Sequence, residues 1–467
     1  MKLGSINQWS QGRQEGRSVR DKPKKSKNYI PVTVPFGAIP AGETPSIAQW
    51  AHPMVWTERM LDTLLHGKVR GGKWHTLIDK VMDHRNLHFS AVKVLGNDGA
   101  PGVDRQTTGD FHESRWEELD RLQHLLREDH YRPSPVRRTW IPKPGSTEKR
   151  PLGIPTVRDR VVQTALVHVI EPILDATFHE RSYGFRHGRG CHQALRRVEE
   201  LLDAGHVYVV DADLKGYFDT IPKDRLLDLV RQQISDSRVL ALIKMYLDQG
   251  IMEELRLWTP VAGVPQGAVL SPVLANLYLN PLDHQMAERG YEMVRYADDF
   301  VILCRTLEDA QTALREVQRW VREQGLTLHP TKTQIVDARE QSFAFLGYSF
   351  RGRFRFPRAK SHEKFMERIR ELTPRKSGES LGYVIHRLNR TLRGWFNYFR
   401  HCFWNIFEAY DQRIRERLRS LLQKRHRRNP HRLTRQRRWP NDFFRQKGLI
   451  SLQAAHIRLV QSHCGNY

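Results

Sequence analysis

Two adjacent carboxylates inside an apolar stretch constrain the fold of this sequence more than any other feature. Asp298 and Asp299 lie between the apolar runs MVRY and FVILC of residues 293–304, and both runs have the pattern of β-strands. Side chains alternate along a straight strand, so the two carboxylates would point to opposite faces. We therefore predict a β-hairpin with the two aspartates at its tip, where both can act together.

A second acidic pair follows another apolar strand. Asp211 and Asp213, in the stretch VYVVDADL of residues 207–214, are two residues apart and therefore share a face. If the two strand ends meet, three or four carboxylates occupy a small volume and cannot all stay ionised without cations. Mg²⁺ is the expected cation, because it prefers hard oxygen ligands and in pairs catalyses phosphoryl transfer.

The alternative is that these acids only cap turns or pair with neighbouring cations. Arg295 and Lys215 lie close enough in the sequence to neutralise them. For one acid alone this alternative is the simpler interpretation. The joint occurrence of two acidic pairs at strand ends favours the metal site.

The overall charge indicates a polyanionic partner. Lys and Arg number 76 against 52 Asp and Glu, a formal net charge of +24, and nucleic acid explains such an excess better than an anionic membrane does. No apolar run approaches the length that crosses a bilayer, and the N-terminus lacks the apolar core of a secretory signal. We therefore expect a cytoplasmic protein of bacterial type, associated with the nucleoid or a ribonucleoprotein, without a membrane partner.

The order of patterns predicts an α+β unit followed by an all-α region. Strands and helices are mixed between residues 136 and 350, which predicts a sheet with helices on one face. Two helical stripes of apolar residues follow after residue 360. Ser271 and Asp219 have the residue type and position of helix N-caps.

Several motifs together resemble a known family. DLKGYFD, GVPQGAVLSPVLANLYL, RYADDF and FLGYSF occur in the order and spacing of the palm motifs of reverse transcriptases. GAPGVD, RSYGFRHGRGCHQAL and LNRTLRGWFNYF extend the resemblance to group II intron-encoded reverse transcriptases and maturases. The resemblance covers residues 85 to 467. A YADD sequence alone would be a weak signal, whereas this combination is specific.

The resemblance implies a right-hand polymerase, with fingers and a palm built on an antiparallel sheet, followed by an all-α thumb. The polar, aperiodic composition of residues 1–50 predicts a flexible basic N-terminal arm. The divisions that the resemblance implies after it are an N-terminal extension and fingers (51–206), a palm with the catalytic core (207–355), an α-helical thumb or maturase domain (360–425) and a basic DNA-binding-like tail (426–467).

The resemblance also implies a set of catalytic and substrate-binding residues. Asp213 and Asp298 would be the principal ligands of two Mg²⁺ ions, with Asp299 and the carbonyl of Leu214 in support. Asp211 would be structural. The implied nucleotide-binding residues are Lys143 and Arg150 for the triphosphate, Phe218 as the ring that excludes a 2′-hydroxyl, Gln266 beside the nucleotide or template base, and Lys332 near the phosphates, where it could protonate pyrophosphate.

Simpler explanations exist for several of these residues. Phe218 could merely pack in the core, and an exposed hairpin often carries cations such as Lys143 and Arg150 without a function. The resemblance favours the functional interpretation in each case. The implied nucleic-acid contacts are Arg390, Arg393 and Asn397 in the thumb and Arg435, Arg437 and Arg438 in the tail. A solvated charge run is the alternative for the tail.

The expected partners are an RNA template and its RNA–DNA hybrid, group II intron RNA, target DNA and deoxynucleotides; a homodimer is left open. The sequence carries no cysteine- and histidine-rich HNH segment, so we expect no second-strand cleavage. The loop has Ala268 where the family pattern has glycine, and we expect activity to survive. His187, Cys191 and His192 have zinc-like spacing but fall at an ordinary loop-to-helix junction.

The expected function is that of an RNA-directed DNA polymerase with a maturase role in intron splicing and mobility. Two alternatives stay open at this point. One is an RNA-binding splicing factor that makes little use of its polymerase site. The other is a domesticated reverse transcriptase that serves repair, phage defence or a CRISPR system.

Overall fold

A computed structural model describes residues 55–65, 72–142, 149–254, 256–352, 354–376, 378–426 and 436–464. The predicted N-terminal arm, Lys143 and Arg435 lie outside the described residues. Within them, strands and helices are mixed up to residue 357 and only helices follow. This order confirms the predicted fold class, an α+β core followed by an all-α region.

Helices precede the first sheet. They are α1 (Glu58–Leu65), α2 (Ile78–Val81), α3 (His84–Gly96), α4 (Thr108–Glu113) and α5 (Arg115–Arg127). The N-terminal sheet has the strand order β2-β1-β4-β5, with β1 (Val136–Pro142), β2 (Lys149–Ile154), β4 (Ile251–Glu253) and β5 (Arg256–Trp258). β1 and β2 form the predicted antiparallel hairpin, and the parallel pairing of β1 with β4 adds the second hairpin, β4–β5.

The central sheet contains both predicted acidic strands. Its order is β6-β7-β3-β8, all antiparallel, with β3 (Tyr208–Asp213), β6 (Glu292–Tyr296), β7 (Asp299–Cys304) and β8 (Gln334–Asp337). Tyr296 pairs with Asp299, which leaves Ala297 and Asp298 as a two-residue turn. The predicted hairpin and its position are therefore confirmed.

Helices surround the central sheet. They are α6 (Val157–Asp175), α7 (Cys191–Asp203), α8 (Tyr217–Thr220), α9 (Lys223–Gln233), α10 (Ser237–Leu247), α11 (Ser271–Glu288) and α12 (Leu307–Glu323). Ala212 and Phe300 belong to the apolar core that includes α11 and α12, whereas Val209 and Val301 belong to a second core that includes α7.

The prediction of helices on one face is therefore wrong, since both faces are covered. Val209 and Val210 point to opposite faces and both are fully buried. A strand that is apolar at both alternations is typical of a sheet with two covered faces.

Two predicted helix caps are also wrong. Ser271 is the first residue of α11, and its hydroxyl donates to the carbonyl of Pro265 (2.6 Å) instead of capping the helix. Asp219 lies inside α8 and accepts a hydrogen bond from Nε2 of Gln266 (2.9 Å). α9 follows Pro222 without a side-chain cap. In both cases a contact with the 265–266 loop satisfies the polar side chain.

A small third sheet and five helices complete the described chain. They are β9 (Phe343–Phe345), β10 (Tyr348–Arg351), β11 (Phe354–Pro357), α13 (Ala359–Leu372), α14 (Leu381–Phe399), α15 (Asn405–Arg425), α16 (Asn441–Gln446) and α17 (Leu452–Cys464). The rings of Trp395 and Phe365 stack at 4.3 Å, so Trp395 packs α14 against α13. No helix in these described ranges is both long and apolar enough to cross a membrane.

The described end of the predicted tail packs on these helices. Asp411 of α15 accepts hydrogen bonds from the start of α17, including the amide of Leu452 (2.9 Å), and Asn389 of α14 donates to the carbonyl of Gly448 (2.8 Å). Phe444 and Leu452 are buried in the second core. Residues 439–464 are therefore part of the C-terminal helical unit.

Candidate active site

The carboxylates converge because of the register of the central sheet. Asp213, the last residue of β3, is the antiparallel partner of Asp299, the first residue of β7. Partners across an antiparallel pair point to the same face, and Asp211, two residues earlier on β3, shares it. Asp298 adjoins this face from the β6–β7 turn. The structure thus brings together all four acids of the two predicted pairs.

Electrostatics confirms that these carboxylates affect one another. Burial, together with the charges of Asp211, Asp298 and Asp213, raises the pKa of Asp299 to about 7. Burial also raises the pKa of Asp298, with Asp213 adding to the effect and Arg150 opposing it. Several interacting carboxylates therefore share this edge of the sheet, as a cation site requires.

Arg295 holds the turn and leaves the acids unpaired. Its side chain is fully buried and forms an ion pair with Asp283 of α11, with Nε at 2.8 Å from Oδ1. The same guanidinium donates to Oδ1 of Asn276 and to the carbonyl of Ala297, each at 2.9 Å. Arg295 therefore forms its ion pair with Asp283 and not with Asp298 or Asp299, although its charge still lowers the pKa of Asp298.

The turn itself is strained and packed closely. Ala297 has φ +60°, in the left-handed region that costs a non-glycine residue energy unless surrounding contacts impose it. Gly184 lies against it, since a Cβ on Gly184 would be 2.3 Å from the amide nitrogen of Ala297. Asn276 donates to the carbonyl of Gly184 (2.7 Å) and so joins this segment to Arg295. Gly184 belongs to the RSYGF motif of residues 181–185, which was the sequence feature from which this contact could have been predicted.

Lys332 contacts the first catalytic candidate directly. Its Nζ lies 2.6 Å from Oδ2 of Asp213, and both side chains are partly exposed. The amide of His329, in the same loop, donates to the carbonyl of Asp213 (2.7 Å). Leu214, whose carbonyl is an implied metal ligand, follows Asp213 and is buried. The loop after α12 therefore packs against the end of β3.

The acidic edge fits a magnesium site that is completed by substrate. In the described part of the chain, no group of three or more His, Cys, Asp or Glu side chains is arranged to hold a metal ion. Mg²⁺ commonly takes only one or two carboxylates and completes its shell with phosphate oxygens and water. Asp213 and Asp298, with Asp299 beside them, can supply these ligands.

The zinc-like spacing forms no such site. Nε2 of His192 lies 2.9 Å from the carbonyl of Tyr398, and its ring packs against that of His401. Cys191 interacts with the hydroxyls of Tyr296 and Tyr398. These residues join α7 to α14.

Arg150 projects from the N-terminal sheet as an exposed side chain opposite Ile141. Its positive charge acts on Asp298, whose pKa it lowers against the effect of burial. The structure therefore places this candidate triphosphate ligand within electrostatic reach of the acidic edge.

The GVPQG loop packs on α8, which carries Phe218. The carbonyl of Phe218 accepts from the amide of Val264 (2.7 Å), and the half-buried ring contacts Tyr217 edge-to-face. Gly263 has φ +96°, and a Cβ there would be 2.8 Å from the carbonyl oxygen of Asp219. Gly267 has φ +101°, whereas Ala268, which replaces the glycine of the family pattern, does not have a positive φ. Alanine therefore fits the backbone at position 268 without strain.

The predicted nucleic-acid contacts lie on the surface where they are described. Arg390, Arg393 and Asn397 are exposed on α14, on the side away from its apolar stripe. Arg437 and Arg438 are exposed, and the guanidinium of Arg438 lies 5.2 Å from the ring centre of Trp439. Exposure makes these side chains available, and their contacts with nucleic acid stay a prediction.

Comparison with protein families gives two matches. Residues 141–350 match the family described as reverse transcriptase (RNA-dependent DNA polymerase). Residues 362–439 match the maturase-specific domain of group II introns. The first region contains the acidic edge and the second contains α14 and α15.

Three similar proteins illustrate the relationship. Protein YkfC of Escherichia coli is 35% identical over 56% of this chain and 79% of YkfC, and the group II intron-encoded protein LtrA of Lactococcus lactis is 38% identical over 42% of this chain and 33% of LtrA. The chain thus spans only a third of the length of LtrA. Among solved structures, telomerase from Candida albicans aligns over 68% of this chain and 64% of that chain, with 11% identity and a TM-score of 0.41.

Proposed function

The chain belongs to the reverse transcriptases that carry a group II intron maturase-specific domain, and we propose that it extends a primer 3′-hydroxyl on an RNA template with deoxynucleotides. The observation that carries this proposal is the register of Asp213 with Asp299, with Asp298 in the adjoining turn. A cluster of neighbouring carboxylates at the end of a sheet can hold the cations that supply the charge neutralisation phosphoryl transfer needs.

Asp213 and Asp298 would hold two Mg²⁺ ions, which when bound supply activation of the primer hydroxyl and neutralisation of the leaving group. The contribution of the chain itself is positioning. Arg295 fixes the turn that presents Asp298, and the β3–β7 ladder fixes Asp213 and Asp299 side by side. Lys332, at 2.6 Å from Asp213, is close enough to donate a proton to pyrophosphate after a rotation of its side chain.

The incoming nucleotide would lie between the acidic edge and the N-terminal sheet. Arg150 would bind the triphosphate through its planar fork, with Lys143 as a second cation. Phe218 would contact the sugar and exclude a 2′-hydroxyl, and Gln266 would contact the nucleotide or template base. The proximity of Arg150 to Asp298 supports this arrangement.

The C-terminal helices would hold the product hybrid and folded RNA. Exposed Arg390, Arg393 and Asn397 lie on α14. Exposed Arg437 and Arg438 lie in the segment that follows α15. Cations of this kind contact phosphates and 2′-hydroxyls, which dominate the recognition of helical RNA. We infer that the partners are an RNA–DNA hybrid, group II intron RNA and target DNA, with a maturase role for the 362–439 domain.

The test is a primer-extension assay on an RNA template with Mg²⁺ and either deoxynucleotides or ribonucleotides. We expect extension with deoxynucleotides only, and loss of extension when a chelator removes the metal. A binding assay on the same preparation should give unchanged affinity for the primed RNA after chelation. Metal-independent extension, or no extension by a preparation that binds the primed RNA, would contradict the proposal.

A further inference from the structure

Two exposed tryptophans flank an arginine on one face of the N-terminal sheet. The guanidinium carbon of Arg138 lies 5.7 Å from the ring centre of Trp140 and 5.6 Å from that of Trp258. The two tryptophans are 45% and 38% exposed. Indole rings that are exposed to solvent to this extent, with a cation between them, form a surface on which another planar group can stack.

The register of the sheet places this group on one face. Arg138 pairs with Gly153 and Trp140 with Pro151 across the β1–β2 hairpin. Val136 pairs with Ile251, which in turn pairs with Trp258. Since partners share a face and alternate residues return to it, the side chains of Arg138, Trp140 and Trp258 all lie on the same side. We call these three residues the Trp–Arg platform.

The platform is held in place. Nε1 of Trp140 donates a hydrogen bond to Oε1 of Glu253 at 2.5 Å, which fixes the orientation of the indole ring. Lys149 and Arg256, both exposed, lie on this same face by the alternation of β2 and β5. With Arg138 these cations outnumber the nearby acids Glu253 and Asp219, so the surroundings of the platform favour an anionic ligand.

A cavity of about 300 Å³ opens at the foot of the platform. Its wall is mostly apolar and is shared between the sheet and the 260–266 loop, with lining residues that include Val136, Gly153, Ile251, Pro260, Val264 and Gln266. Arg138 and Asp219 supply polar groups. A pocket of this size and character suits one planar, partly polar ring system such as a nucleobase.

This face is distinct from the one that carries the candidate triphosphate ligand. Arg150 and Leu152 alternate with Pro151 and Gly153 on β2 and therefore point to the other side of the sheet. The 260–267 loop lies beside this sheet, and its Gln266 lines the cavity. The platform therefore serves a different part of a ligand from the part that reacts at the acidic edge.

We propose that the Trp–Arg platform and its cavity bind unpaired bases of single-stranded RNA, the part of the template that has not yet been copied. The proposal rests on the proposed function. Stacking on aromatic rings and arginine tolerates every base, as a template-reading enzyme needs, and the adjacent cations follow the phosphates. The shared Gln266 makes the surface continuous with the proposed templating position.

The test compares two primed RNAs that have the same duplex, one blunt and one with an unpaired 5′ template extension. Binding is measured without Mg²⁺ and without nucleotides, so that a loss of catalysis cannot imitate a loss of binding. We expect the wild-type protein to bind the extended RNA about tenfold or more tightly than the blunt one. The double variant Trp140→Ala, Trp258→Ala should bind both RNAs equally and bind the blunt RNA as the wild type does.

Two controls define the outcome. Trp116→Ala removes another exposed tryptophan, which lies on α5 and stacks on His88, and it should preserve the preference. The double variant Trp140→Phe, Trp258→Phe retains aromatic rings that can stack, and it should preserve most of the preference for the extended RNA. 2-Aminopurine in the unpaired extension should be quenched by the wild type and not by the double alanine variant.

Three results would overturn the proposal. The first is a double alanine variant that keeps the full preference, and the second is one that weakens blunt and extended RNA equally. The third is a wild-type protein that forms an oligomer and a double variant that is monomeric but keeps the RNA preference. This result would assign the face to contact with a second copy of the chain. If extension fails in the assay of the proposed function but the binding preference holds, only the catalytic proposal is lost.

Discussion

Nζ of Lys332 lies 2.6 Å from Oδ2 of Asp213, so a lysine from the loop after α12 forms an ion pair with the acid that ends β3. The pair is partly exposed, and its contribution to folding stability is therefore small. Its position is more informative than its energy, because a cation that contacts a candidate metal ligand also lies beside the place where pyrophosphate would leave.

The first prediction follows from this pair. Lys332→Met should lower the maximal rate of nucleotide addition by about a hundredfold, as expected for the loss of a general acid, and change the affinity for primed RNA little. Lys215→Met is the matched control, because Lys215 is an exposed lysine two residues from Asp213. The role of Lys332 would be rejected if both variants had the same rate under single-turnover conditions.

The second prediction concerns the sugar. Phe218→Ala should increase the incorporation of ribonucleotides relative to deoxynucleotides, because the half-buried ring on α8 would no longer occupy the space of a 2′-hydroxyl. Phe218→Tyr keeps the ring and should keep the selectivity. Competition between the two nucleotide types in single-nucleotide extension gives the ratio directly. A ratio that Phe218→Ala leaves unchanged would assign the ring to core packing alone.

The third prediction separates the positioning role of Arg295 from its role in stability. Arg295→Met alone leaves Asp283 as a buried unpaired charge and should destabilise the protein by about 3–5 kcal/mol. Arg295→Met with Asp283→Leu removes both charges and should restore much of that stability, since an apolar pair often replaces a buried ion pair without loss.

The carbonyl of Ala297 still loses its donor in this double variant, so the turn that carries Asp298 should loosen. We expect slow extension from a protein that melts near the wild-type temperature, with a higher Mg²⁺ concentration needed for half-maximal rate. A stable double variant with the wild-type rate and the wild-type Mg²⁺ requirement would show that the network is only structural.

The fourth prediction is a pH dependence of stability. Burial and neighbouring carboxylates raise the pKa of Asp299 to about 7, above its value in an unfolded chain. Between these two values the folded protein holds a proton that the unfolded chain has lost, so this group makes the free energy of unfolding fall as the pH rises through 7.

Asp299→Asn should therefore be more stable than the wild type at about pH 8, without metal, and similar to it at about pH 4, near the pKa of the unfolded chain. Thermal unfolding at the two pH values measures the difference, and added Mg²⁺ should reduce it at the higher pH. An equal difference at both pH values would mean that the ionisation of Asp299 is not responsible.

The sequence was sufficient to predict the hairpin and the convergence of the acids. Apolar runs on both sides of Asp298 and Asp299 specify two strands, and a two-residue turn is the simplest connection between them. The α+β order and the C-terminal helices were predictable for the same reason, since their periodicity is local.

The supporting contacts were not predictable, because each joins residues that are distant in sequence or on different elements. Asp283 faces Arg295 only after α11 packs on the central sheet, and Gln266 reaches Asp219 only through the loop that follows β5. Neither partner has a local pattern that indicates the other. The same holds for the Trp–Arg platform, which depends on the parallel pairing of β1 with β4.

The most direct test of the account is single-turnover extension of primed RNA by Asp298→Asn, which removes one charge and keeps the shape of the side chain. Asp211→Asn is the control, because Asp211 lies on the same face but has an expected structural role. We predict that Asp298→Asn extends at least about a hundredfold more slowly than the wild type, with unchanged RNA affinity, and that Asp211→Asn stays within a few-fold of it. Extension by Asp298→Asn at the wild-type rate would contradict the account.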